Sequence, residues 1–165
     1  MASSSEEKSR APRATLLQLS KAASELNSAS DELRDSVGIL DKALKRLNVG
    51  IPVWVTFRRT EKNARYWIDR IGYAKLPDGN WGIAICRVHG SENRDEEILD
   101  EFWPFNDAPR ERRLSSVEGL AKVIDGLKLA AEQMTGRVKK KVAEVRGLAA
   151  EIGLWEEFDN QRGTK

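Results

Sequence analysis

Residues 71–84 read Ile71-Gly72-Tyr73-Ala74-Lys75-Leu76-Pro77-Asp78-Gly79-Asn80-Trp81-Gly82-Ile83-Ala84. Pro77 presets the backbone of a turn entry and Gly79 supplies a positive φ, so Pro77-Asp78-Gly79-Asn80 is a hairpin turn between two extended runs. The run before it reaches back to Arg65, and the run after it reaches His89. Upstream, Ile51, Val53, Val55 and Phe57 alternate with Trp54, Thr56 and Arg58, the period of a strand with one buried face. Downstream, Glu96 to Phe105 reads as a further strand, ended by Pro104 and the turn residues Asn106-Asp107. The polar connections, Arg59 to Asn63 and Gly90 to Asp95, are short, and short connections join antiparallel neighbours. The segment 51–106 is therefore expected to be a four-stranded antiparallel meander, with a bulge at Gly72.

Both flanks of this head carry an apolar heptad repeat. The first seam is Leu16, Leu19, Ala23, Leu26, Ser30, Leu33, Val37, Leu40, Leu44, Leu47. The second is Val117, Leu120, Ile124, Leu127, Ala131, Met134, Val138, Lys141, Val145, Leu148, Ile152, Trp155. Alternating steps of three and four residues are the signature of a coiled-coil seam. The expected fold class is α+β: two long antiparallel coiled-coil-like helices, 12–48 and 110–158, flanking the meander. Residues 1–11 are polar and expected to be disordered, and 159–165 form a loose tail. Asn48, Gly50 and Pro52 stop the first helix. The second tolerates Gly119, Gly126, Gly136 and Gly147, which points to close helix–helix approach, and the heptad keeps its phase through Gly136. Apolar residues beside the seams (Leu17, Ala22, Ile39, Ala43, Val123, Ala130, Val142, Ala149) widen each stripe. A wide stripe suits a bundle of more than two helices, hence a homodimer.

The whole chain narrows the function classes. A net charge of +2 gives no global field that demands nucleic acid or membrane. No window approaches the roughly 20 apolar residues of a membrane span, and the N-terminus lacks the apolar core of a secretory signal. The single cysteine, Cys86, excludes an internal disulfide and fits a cytoplasmic protein. No nucleotide-binding loop, zinc-protease helix or nucleophile elbow is present. His89 has no second histidine with which to build a metal site or a triad. The acidic run from Glu92 to Glu101 lacks calcium-loop spacing, and its members alternate between the two faces of a strand. The residues thus found no catalytic centre, cofactor or metal.

Two groups remain as candidate sites. Four of the five tryptophans, Trp54, Trp67, Trp81 and Trp103, lie in the β head and are enriched among interface hot spots. They make the head a candidate surface for a protein partner, although part of the set is needed as core. The second group is basic: Arg110, Arg112 and Arg113 at the junction of sheet and helix, and Arg137, Lys139 and Lys140 with Lys141 and Arg146 on the helix. These could contact phosphates of a nucleic acid. The leading expectation is a non-enzymatic scaffold or adaptor, assembling through its helices and binding a protein through the aromatic head. The alternatives are a nucleic-acid-associated protein and an enzyme with a pocket between sheet and helices.

The segments Ile71-Gly72-Tyr73-Ala74-Lys75, Trp81-Gly82-Ile83-Ala84 and Phe105-Asn106-Asp107-Ala108-Pro109-Arg110 resemble those of a group of uncharacterised bacterial proteins. The resemblance covers roughly residues 45–150. It implies the same order of helix, aromatic β segment, turn and long charged helix. It also implies that Asn106 to Arg110 is a defined structural element, and it carries no catalytic residue.

Overall fold

The hairpin turn forms as its residues require. Leu76 N donates to Asn80 O at 2.7 Å, and Gly79, at φ +86°, donates from its N to Leu76 O at 2.9 Å. Asp78 Oδ1 accepts from Asn80 N at 2.9 Å, and its bonds with Asn80 hold the Asp78 carboxyl below its ordinary range. In a computed structural model that describes residues 3–62, 64–91 and 94–152, four strands follow in chain order. They are β1 (Val53–Lys62), β2 (Arg65–Lys75), β3 (Trp81–Ser91) and β4 (Arg94–Pro104). They form one antiparallel sheet in the order β1-β2-β3-β4, which is the expected meander.

The bulge is not at Gly72, where β2 pairs without interruption on both sides. Gly72 is small because the indole of Trp54 lies over it: an added Cβ would come 2.5 Å from Trp54 Cε3. The register shifts instead between Thr56 and Arg58 of β1. The extra residue turns Phe57 and Arg58 to the same face. Phe57 packs against the core, and Arg58, expected on the wet face, reaches across to Ser115.

Three helices complete the fold: α1 (Ser3–Leu47), α2 (Arg110–Ser116) and α3 (Leu120–Glu151), with 3-10 turns at Phe105–Asp107 and Val117–Gly119. The backbone of α1 is helical from Ser3, so Pro12 lies within it. The C-terminal helical run starts at Arg110 and passes unbroken through Gly136. Its seam position Trp155, the end at Phe158 and the tail 159–165 lie outside the described residues. All three helices lie on one face of the sheet. Val37 and Leu44 of α1, Ile71, Tyr73, Ile83 and Ile85 of the sheet, and Val123 and Leu127 of α3 form the centre of the core. The glycines of the C-terminal run divide into two kinds. A Cβ at Gly119 would lie 2.6 Å from Ile71 Cγ2, and one at Gly126 would lie 2.7 Å from Val53 Cγ1. Nothing lies within 4 Å of a Cβ at Gly136 or Gly147. The close approach is helix to sheet, not helix to helix as expected.

The two long helices do not form an antiparallel hairpin. α1 meets α2 where Arg110 donates to Asn27 Oδ1 at 2.8 Å and Arg113 to Ser30 Oγ at 3.4 Å. It then runs to Asp41, whose Oδ1 accepts from Ile83 N at 2.7 Å. β4 stops at Pro104, opposite Ala84, so no strand lies beside Ile83 to take that N–H, and α1 takes it instead. α3 starts near Val55 and Ile71 at Gly119 and passes Val53 at Gly126. Both helices therefore run toward the end of the sheet marked by Val53, Tyr73 and Ile83. The cause is local. The segment after Pro104 doubles back over β4, where Arg112 donates to Glu101 at 2.7 Å and lies 4.4 Å over the Trp103 ring. The helix that it starts must return to the end it came from.

A row of alternating charge crosses the helix-facing side of the sheet. Arg58, Asp69, Arg87 and Glu101 stand directly opposite one another on the four strands. Arg87 donates to both oxygens of Asp69, at 2.7 and 2.9 Å. α2 closes the row at both ends: Arg58 donates to Glu111 at 3.1 Å, and Glu101 accepts from Arg112. Asp69 is 2% exposed and Arg87 is only partly buried, so removing Asp69 leaves a largely desolvated guanidinium without its carboxylate. Breaking one partner of such a pair costs about 3–5 kcal/mol, against about 0–1 kcal/mol for an exposed pair. In urea denaturation, Asp69→Ala is therefore expected to lose about 3 kcal/mol of stability. Glu97→Ala, which breaks the more exposed pair with Arg70 on the opposite face, is expected to lose under about 1 kcal/mol.

Candidate functional site

α1 and α3 are longer than the sheet that they cover, and this creates the main uncovered surface. Over the sheet, α1 presents Leu33, Val37, Leu40 and Leu44 to the core. The same helical face continues toward the N-terminus as Leu26, Ala23, Leu19 and Leu16, all exposed. In α3 the change occurs over a few turns. Val123 is 1% and Leu127 4% exposed, whereas Met134 is 39%, Val138 52% and Val145 63% exposed. At 100° per residue these five side chains share one face. The stripe that docks on the sheet thus runs on past it, with nothing beneath it among the described residues. Leu148 and Ile152 extend it and are exposed too.

The two free lengths leave opposite ends of the sheet. α1 extends beyond its contact with α2, while α3 extends beyond Val53. They cannot cover each other within one chain. The free part of α3, residues 130–151, carries five cations and three carboxylates, net +2. Lys141 lies on the apolar face and donates to Glu144, so its ammonium is drawn to the edge of the stripe.

The four candidate tryptophans stand in four separate places. Trp54 is on the face that no helix covers, edge-on to Phe102 with centroids 6.0 Å apart and planes at 78°. Trp67, half-buried, is opposite Thr60 and His89 toward the far end of the sheet. Trp81 stacks on Tyr73 at 5.7 Å and 22°, at the mouth of the core near Lys45. Trp103 packs against the core beneath Arg112. Alternation puts Trp54 on one face and the other three on the helix-facing side, where they stand at different places along the strands, so no single aromatic surface gathers the set.

The basic candidates are also divided. Arg110, Arg112 and Arg113 tie α2 to Asn27, Glu101 and Ser30, and Arg113 Nε is buried without a hydrogen-bond partner among the described residues. Arg137, Lys139 and Lys140 lie on the free length of α3. They are about 36 Å along the helical run from Arg113, at 1.5 Å per residue. They have no salt bridge among the described residues.

Chemistry for catalysis is sparse. A cleft of about 160 Å³ between α1, β3 and the turn at Phe105 has Asp41 and Lys45 as its titratable groups. The two pair with each other, and Asp41 also holds Ile83 N. Among the described residues no group of three His, Cys, Asp or Glu side chains could hold a metal, and no helix is long and apolar enough to cross a membrane. Glu97 and Glu101 of β4, four residues apart, part to opposite faces because the register shifts between Leu99 and Glu101, Glu97 turning to Arg70 and Glu101 to Arg112.

Sequence reading missed three functional positions of the scaffold. Asp41 was not among the candidate residues, and Asp69 and Arg87 were not singled out. Their signal was parity: Asp69 shares the phase of Ile71 and Tyr73, and Arg87 that of Ile83 and Ile85, so both had to point inward. No family model matches the chain, and no curated protein or solved structure matches it.

Cys86 lies on the face opposite the helices, next to Phe102 in register, and is buried. Burial pushes its thiol up from 9.0 to about 11. The neutral thiol is the form that the fold prefers. Its contribution to stability is therefore complete below pH 9 and is lost as the pH rises from 9 toward about 11. At pH 7.5, maleimide labelling of the native protein is expected to be at least about 100-fold slower than in urea, because thiolate is the reactive form.

Proposed function

We propose that this protein is a non-enzymatic scaffold that assembles through its helices. The observation that supports this reading is the continuous apolar stripe of α3, which passes from 4% exposure at Leu127 to 63% at Val145 with no change of face. Most helical stability in proteins comes from packing an apolar face rather than from intrinsic propensity. A stripe with heptad spacing, long enough for several coiled-coil layers, fits a helical partner. The β head is then the part held out for an adaptor role. Its uncovered face, with Trp54 against Phe102, is the aromatic surface best placed to meet a protein.

A second reading draws on Arg137, Lys139 and Lys140, which are unpaired among the described residues. A nucleic acid bound there would be lost steeply with salt. The loss of Arg110, Arg112 and Arg113 to internal contacts shortens that basic strip, so assembly is the better supported reading. Nothing in the cleft beside Asp41 favours an enzyme.

Light scattering at micromolar concentration is expected to give a mass at least twice that of the chain. Val138→Glu with Val145→Glu should yield a monomer with unchanged aromatic circular dichroism. Each of these side chains is worth about 1.5–3 kcal/mol when buried, so the dissociation constant should rise at least about 100-fold. A wild-type monomer at that concentration contradicts the reading.

A further inference from the structure

We propose that the free stripe of α3 pairs with α3 of a second copy of this chain, antiparallel, with Met134 against Val145 of the second copy. The inference rests on the assembly reading and specifies its partner and geometry.

The occupant follows from three features of the helix. First, the other free stripe among the described residues is on α1, which leaves the opposite end of the sheet, so no described part of the chain lies against the free stripe of α3, whereas a second copy brings a matching one. Second, the stripe is self-matching in length. It starts where Leu127 leaves the sheet and runs to Ile152. An antiparallel pair that brings Ile152 of the other copy level with Leu127, at the edge of the sheet, covers it from root to tip and leaves each sheet at one end of the rod. In that register Met134 faces Val145, and Val138 faces Lys141, whose ammonium is already turned aside to Glu144. Third, the flanking charges complement each other in this register. Arg137 comes opposite Glu144 of the second copy, and the two-fold axis repeats the contact. Sliding the pair by one heptad sets Glu144 against Glu144 of the second copy, a like-charge contact. Lys139, Lys140 and Arg146 fall on outer positions, away from the partner.

Cysteine pairing tests the register in the full-length protein, since Cys86 is buried. The variants M134C and V145C are oxidised separately and as a mixture. In the proposed pair, a residue at 134 is about 16 Å along the axis from the same residue of the second copy, by the 1.5 Å rise. That exceeds the roughly 7 Å reach of a disulfide between Cα atoms. The mixture is expected to give a disulfide-linked dimer at least about 10-fold more efficiently than either variant alone. R137E alone should lower that yield, and the double exchange R137E with E144R in both variants should restore it to within about two-fold. M134C linking efficiently to itself would show a parallel pair and overturn the proposal. A dimeric mass without any 134–145 link would overturn it as well, by placing assembly elsewhere. A monomeric mass would remove the assembly reading together with it.

Discussion

The constraint behind this architecture is a mismatch between the length of a strand and the length of a helix. Strands of ten or eleven residues span about 35 Å, at roughly 3.3 Å per residue. The helices laid on them have 45 and 32 residues, about 68 and 48 Å at 1.5 Å per residue. Each helix has one apolar stripe, and the sheet covers only part of it. Because the chain doubles back after Pro104, the surplus of α1 emerges from one end and that of α3 from the other. The same sequence pattern is thus core in one half of a helix and exposed surface in the other.

The covered part is held by contacts of different kinds on the two sides of the sheet. On the helix side, an apolar centre gives way to the row Arg58, Asp69, Arg87 and Glu101, and α2 seals that row with Glu111 and Arg112. Such a row adds little energy beyond an apolar equivalent, but a mispaired register would bring like charges together, so it fixes which residues face each other. Asp41 fixes the other end by taking the N–H that β4 leaves open at Ile83. On the opposite side no helix is needed for local burial. Trp54 spreads over Gly72 and meets Phe102, so a few large rings shelter a floor of small residues.

The strands were legible in the sequence because turn chemistry and period-two alternation act locally. Pro77 to Asn80 makes the turn that its residues demand, and the four strands follow in the expected order. Long-range features were not legible. The bulge sits at Thr56–Arg58 rather than Gly72, because a glycine under an indole and a glycine at a bulge look alike in sequence. The helix direction depends on Arg112 folding back onto Glu101 and Trp103, which no periodicity encodes. The heptads correctly marked long amphipathic helices but could not say what the seam meets. In α3, Val123, one position from the seam, docks beside the seam residue Leu127, while Ile124 on the seam is 42% exposed. The tryptophans were legible as important residues and not as a site, since their separation depends on strand register.

A helix that is docked at its root and free along its length should be uneven in stability. Amides over the sheet are protected by the core at any concentration, whereas those of the free length are protected only while a partner covers the stripe. Hydrogen exchange of residues 130–151, followed from nanomolar to tens of micromolar protein, tests this most directly. The account predicts that protection there rises with concentration while that of β2 and β3 stays constant. Protection of 130–151 that is the same at every concentration would contradict it.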